Sequence, residues 1–120
     1  EEPNYMNSVF LPELANAKLI DTRTAHGVNS YSYTIAPGER VTIVYIYLTP
    51  DNSFSTGGSY SPSNARFRFG LSNGTVKNYK SSTTNEYYGG TFSISSSGTY
   101  QFFIENIGNT SFTISGGYSF

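Results

Sequence analysis

Few residues of this chain are equipped for chemistry, and their spacing narrows what they can do. His26 is the single histidine, so a Ser-His-Asp triad would have to use it, with Asp21 or Asp51 orienting the imidazole. No Gly-x-Ser-x-Gly turn supplies a nucleophile for it, and His26 before Gly27 reads as a solvated turn residue. Paired carboxylates for glycoside hydrolysis would have to come from Glu13, Asp21, Glu39, Asp51, Glu86 and Glu105. Only Glu105 falls inside a clear strand pattern, on the side facing away from the apolar stripe. These acids read as surface groups, and no catalytic residue is assigned. Asp51 and Asn52 offer oxygens to calcium, but a hard cation wants roughly six to eight of them, several from carboxylates. An Asx turn after Pro50 accounts for the same residues. With no cysteine, thiolate metal sites and disulfides are excluded. No metal and no cofactor are expected.

The aromatic residues stand out instead: 11 Tyr and 9 Phe with no Trp. Most Phe fall on inward positions, so core is their default. The alternation places Tyr45, Tyr47 and Phe103 opposite the clearest aliphatic stripe. If their strands are neighbours, these three form an exposed aromatic platform able to stack on sugar rings or bury against a protein. Tyr60, Tyr79, Tyr87 and Tyr88 could rim it. Two other readings stay open: the face is a second core layer, or the N-terminal segment covers it. Arg66 and Arg68 also point outward. They could hold an anionic group, or pair with Glu86 or Glu105 across a sheet.

The elements that position these residues are strands. Tyr31, Tyr33 and Ile35 alternate with Ser30, Ser32 and Thr34, the period of a half-buried strand. Ala36-Pro37-Gly38-Glu39 then makes a turn, with Pro presetting φ and Gly supplying a positive one. Arg40 to Thr49 is apolar on both faces, as expected of a central strand. Pro50 to Asn64, with its Pro, Gly-Gly and Ser clusters, reads as one long loop. Arg66 to Ser72 resumes alternation, and Asn73-Gly74 reads as a two-residue hairpin turn to Thr75–Lys80. Tyr87 to Ile94 is a weaker strand whose Gly89-Gly90 suggests a bulge. Thr99 to Ile107 is strong, Thr110 to Ser115 closes a last hairpin, and the tail to Phe120 suggests a short edge strand. In the first quarter, Lys18 to Arg23 reads as a strand and Leu11 to Ala17 as one helical turn at most.

Seven to eight short strands with regular turns predict an all-β, two-sheet antiparallel sandwich, jelly-roll-like, formed by residues 1–120 as a single domain. Residues 1–16 are expected to be an irregular N-terminal segment. The formal net charge is −1, which leaves no electrostatic footprint for nucleic acid or an anionic membrane. Charged residues make up 12% of the chain, about half the usual share, with Ser, Thr, Asn, Gly and Tyr in their place. That composition suits secreted and cell-surface β-proteins. Glu1, polar and not Met, reads as a processed start. No apolar run approaches a membrane span.

Two stretches carry a family resemblance. Residues 31–43, YSYTIAPGERVTI, resemble the opening of bacterial pre-peptidase C-terminal domains: aromatic, polar, aromatic, a glycine turn, then an alternating strand. Residues 96–102, SSGTYQF, resemble their Gly-Thr-Tyr closing strand, a pattern shared with GOLD-like modules. The resemblance covers about residues 27 to 115. It departs at Ala65–Gly70, where the family has an acidic strand and this chain has none. Any role of that acid, calcium binding included, does not carry over. The resemblance implies a β-sandwich, an extracytoplasmic location and a non-catalytic accessory role. The expected function is thus a secreted or cell-surface binding module recognising carbohydrate or a protein partner through an aromatic face. The alternative is a structural, self-assembling surface-layer or spore-associated protein. A small hydrolase and a secreted inhibitor or toxin-like factor are further alternatives, and the oligomeric state is left open.

Overall fold

The computed structural model describes residues 18–21, 29–74 and 77–120. It is all-β: β1 Lys18–Asp21, β2 Asn29–Ile35, β3 Arg40–Leu48, β4 Ser53–Ser61, β5 Phe67–Ser72, β6 Lys77–Ser81, β7 Tyr87–Ser93, β8 Gly98–Asn106 and β9 Phe112–Ser119. They form two sheets, a larger one ordered β1-β3-β8-β5-β6 and a smaller one ordered β2-β9-β4-β7. No helix among the described residues is long and apolar enough to cross a membrane.

The connectivity has a simple logic. β2 pairs with β9, β3 with β8, β4 with β7 and β5 with β6, all antiparallel. The chain from β2 to β9 is therefore one long hairpin with its tip at β5–β6. It is rolled so that successive pairs fall in alternate sheets, the jelly-roll arrangement. β1 joins the edge of the larger sheet parallel to β3, so that sheet is not purely antiparallel.

Period-two alternation supplies the core. Ile46 and Leu48 of β3, Phe67 and Phe69 of β5, Phe102 and Ile104 of β8, and Phe112 and Ile114 of β9 all point between the sheets and are buried. Phenylalanines do most of the filling. Phe67 stacks on Phe112 with centroids 4.8 Å apart, and Phe54 lies 5.0 Å from Phe102. Such pairs add about 0.5–1.5 kcal/mol each beyond their area burial. Asn106, 1% exposed, ties the chain at one end of the sandwich. Its Nδ2 donates to the C=O of Ile35 (3.0 Å) and of Thr110 (2.8 Å), and its Oδ1 accepts from Gly108 N–H (2.9 Å).

Several sequence expectations are corrected. Pro50–Asn64 is not one loop, because its middle is β4, flanked by β9 and β7. Phe54, Thr56 and Tyr60 face inward while the serines between them face solvent, so small polar residues disguised a strand. The sandwich itself is the expected eight strands, β2–β9 in two sheets of four, and among the described residues β1 adds a ninth at the edge of the larger sheet. The tail is no edge strand. Gly116 and Gly117 belong to β9, between β2 and β4. The Gly89-Gly90 pair makes no bulge, since β7 holds unbroken register with β4. The irregularity falls in β3 instead, between Thr42 and Val44. Ser72 pairs with Lys77, so four residues, not two, connect β5 and β6. Gly38 does take the positive φ expected of the turn, 79°. Residues 1–16, the Leu11–Ala17 turn and His26 lie outside the described residues.

Candidate functional site

The expected aromatic platform meets one of its conditions and fails the other. β3 and β8 are neighbours, and Thr42, Tyr45 and Tyr47 lie opposite Phe103, Gln101 and Thr99. Yet Phe103 is 1% exposed, with the Arg40 guanidinium 5.7 Å from its ring centre. Beside it Thr42 Oγ1 donates to Gln101 Oε1 at 2.7 Å, a buried bond. Tyr45 is half-buried, and only Tyr47, at 40%, is exposed. Most of this face is a second buried layer.

Arg68 lies on the same outer face. It donates to Glu105 Oε1 at 3.0 Å, and its guanidinium sits 5.0 Å from the Tyr79 ring centre. It is engaged within the sheet. Arg66 precedes β5, exposed, and its C=O accepts from Ile107 N–H. Asn52 Oδ1, offered above to calcium, accepts from the backbone N–H and hydroxyl of Thr49 at 2.8 and 3.2 Å. Asp51 stays exposed in that turn. Among the described residues no group of three or more His, Asp or Glu could hold a metal. Glu39 is a turn residue whose Oε1 accepts from Ala36 N–H. Tyr60 is buried and donates to Thr83 C=O at 2.7 Å.

A different surface collects features that suit recognition: the outer face of the smaller sheet. It derives from a pattern legible at period two but disguised as loop. Residues 53–61 and 113–119 both read hydroxyl, x, hydroxyl, x, with a glycine at one outward position. Strand registry sets Gly117, Gly57 and Gly89 side by side across β9, β4 and β7. One flank of that row is Ser32, Ser115, Ser59 and Tyr87. The other is Ser119, Ser55 and Thr91. The result is a trench running across the strands, glycine-floored and hydroxyl-walled, with a hollow of about 410 Å³ along it. Paired hydroxyls stand on both walls: Ser32 with Ser115 at 3.1 Å and Ser55 with Thr91 at 3.0 Å. No outward position of this face from β2, β9, β4 or β7 carries a charge.

Tyr87 stands at the β7 end of one wall, 66% exposed. The residue before it, Glu86, holds a φ of 71°, a strained conformation for a side chain this size. Its C=O accepts from Tyr60 N–H at 2.9 Å, and Asn85 Oδ1 accepts from Tyr87 N–H at 3.1 Å. This turn aims the ring outward. Beside it a second hollow of about 320 Å³ is lined by Ser59, Ser61, Thr113, Ser115, Glu86 and Tyr87. Tyr87 is the one expected site residue that the structure places, exposed, on this face.

The inner side of the same glycine pairs explains their doubling. Gly116 and Gly58 lie opposite Tyr31 and Tyr88, whose hydroxyls bond to each other over the glycines. Tyr31 Oη meets Thr56 Oγ1 at 2.8 Å, and Thr56 donates to Gly117 C=O at 2.8 Å. Burial pushes both phenols well above their ordinary value. Tyr88 is thus placed between the sheets rather than on a rim. An acid whose folded pKa is raised keeps its proton when the unfolded chain has lost its own. Stability from this pair is complete below about pH 10 and falls as pH rises beyond it. Urea midpoints between about pH 9 and 11 are expected to fall less steeply in a Tyr31→Phe/Tyr88→Phe double variant than in the parent.

No family model matches the chain, and no curated protein matches it. Solved structures similar to it include two at low sequence identity. One is the mitogen derived from Yersinia pseudotuberculosis: 15% identity, TM-score 0.49, covering 79% of this chain and 86% of that one. The other is a mutant of PliG-Ec, a periplasmic inhibitor of g-type lysozyme from Escherichia coli: 14% identity, TM-score 0.47, covering 86% and 99%.

Proposed function

We propose that this domain is a non-catalytic recognition module that binds a neutral carbohydrate chain across the outer face of its smaller sheet. One observation carries the reading: an uncharged glycine trench with hydroxyl walls and an exposed tyrosine at one end. Hydroxyls donate and accept alike, as sugar hydroxyls require, and a tyrosine ring offers a stacking face. Acidic polymers find no cation along these strands. The low charge of the chain, and the accessory role implied by the resemblance to pre-peptidase C-terminal domains, fit an extracytoplasmic setting. A protein partner is the second reading, favoured only by Tyr87. Serine is depleted at protein interfaces, whose binding energy concentrates in Trp, Tyr and Arg.

Titration with neutral and acidic oligosaccharides, followed by amide NMR shifts, tests the proposal. Shifts are expected on β4, β7 and β9 with neutral ligands. Tyr87→Ala is expected to weaken binding about tenfold, a loss of about 1.4 kcal/mol. Gly89→Val, which fills the floor, should abolish it. Silence across the panel, or shifts confined to the larger sheet, would overturn the reading.

A further inference from the structure

The two sheets guard their edges differently. The larger ends in β1, four residues whose sequence includes Lys18 and Asp21, and in β6, five residues that include Lys77 and Lys80. Short and charged edge strands are the usual defence against pairing with another chain. β7, an edge of the smaller sheet, has none of it. It runs seven residues, YYGGTFS, without charge or proline, and without a break in register. It is also more open than β2, the opposite edge, since it fully buries only Phe92 whereas β2 buries Tyr31 and Ile35. Lys80 lies on the inner side of β7, along the line a Gly90 side chain would take, and does not cover its edge.

The backbone of β7 is divided. Tyr60 N–H donates to Glu86 C=O, so by antiparallel alternation the even-numbered residues spend their groups on β4. Tyr87, Gly89, Thr91 and Ser93 then direct theirs away from the sheet. We propose that this edge pairs with β7 of a second copy, antiparallel about a two-fold axis at Gly90, joining two four-stranded sheets into one of eight. The register is self-complementary. Tyr88 falls opposite Phe92 of the second copy on the inner side, and Gly89 opposite Thr91 and Tyr87 opposite Ser93 on the outer side. β7 itself brings no charge to the seam, although a Lys80 stem lies beneath Gly90 in each copy. The outward-directed groups, other than Tyr87 N–H, which Asn85 Oδ1 already takes, are those that such a register bonds. A symmetric interface of this kind closes at two copies.

Sedimentation velocity over a concentration series is expected to show a monomer–dimer equilibrium. Thr91→Pro removes an N–H aimed away from β4, which an edge strand tolerates, and is expected to raise the dissociation constant roughly 30-fold or more. The register has its own readout, because the chain has no cysteine. Facing residues of a bonded antiparallel pair sit about 5.5 Å apart at Cα, within disulfide reach. An equimolar mixture of Gly89→Cys and Thr91→Cys proteins should cross-link on oxidation, while each alone should not. A monomer at every concentration overturns the proposal, as does an open-ended polymer. So does a dimer that neither Thr91→Pro weakens nor the mixture cross-links.

Discussion

Replacing Gly116 with alanine is expected to cost about 3 kcal/mol or more of stability, from a single methyl group. A Cβ built there would lie 2.2 Å from Tyr88 Oη, 2.4 Å from Gly57 O and 3.0 Å from Tyr31 Oη. The phenol could swing aside only by giving up its bond to the other tyrosine. The Gly57 carbonyl belongs to β4, which pairs with β9 in register, so it moves only if the ladder opens. Tyr88→Phe is therefore expected to rescue the variant only in part. Gly89→Ala is the control. The nearest atoms to its Cβ are Thr56 O at 3.4 Å and Gly57 Cα at 3.7 Å, ordinary contacts. It should be neutral or stabilising by about 0.5 kcal/mol, through a less flexible unfolded chain. Urea midpoints of the two variants decide whether the inner and outer glycines do different work.

The second large effect is expected at Asn106. Asn106→Asp keeps the shape and replaces the Nδ2 donor with an oxygen that faces the carbonyls of Ile35 and Thr110. At neutral pH this buries a carboxylate against two acceptors, at a cost of about 3–5 kcal/mol. The new acid can relieve the conflict by holding a proton and donating to one carbonyl, so its folded pKa must rise above the unfolded value near 4. Between the two values the folded state binds more protons than the unfolded one, and stability falls as pH rises. The difference in midpoint between variant and parent should accordingly be smallest near pH 4 and grow toward pH 7. A pH-independent difference would show that the carbonyls are not what the amide serves.

Much of this architecture was legible in the chain, and the failures share a cause. β2, β5 and β8 announce themselves because large apolar residues alternate with polar ones, and β3 because it is an unbroken run apolar on both faces. β4 alternates just as regularly, but between hydroxyls and a mixture of Phe54, Thr56, Gly58 and Tyr60. Its two-sided content of small residues mimics a loop. The same disguise hid the candidate site, whose floor and walls are glycine and serine. Their meaning depends on three strands aligning one glycine of each pair, Gly117, Gly57 and Gly89, in register, a non-local fact. Phe103 shows the complementary limit. Alternation placed it on the outer face of its sheet, correctly, but a position on a face does not determine what lies over it. Tyr87 was legible as an aromatic residue only. Its exposure depends on the turn at Glu86 and on β7 being an edge.

The pairing of β2 with β9 has a consequence for how the molecule comes into being. Asn29 meets Tyr118 and Ile35 meets Phe112, so the first strand of the smaller sheet waits for almost the last residues of the described chain. Only the β5–β6 tip joins strands close in sequence. Every later pair closes a longer loop, and the entropy of closure is spent before the contacts reward it. Folding should run outward from that tip. β2 and β4, with β9 absent between them, would meanwhile be exposed edges, so truncation within residues 112–119 should yield an aggregating chain rather than a smaller soluble domain.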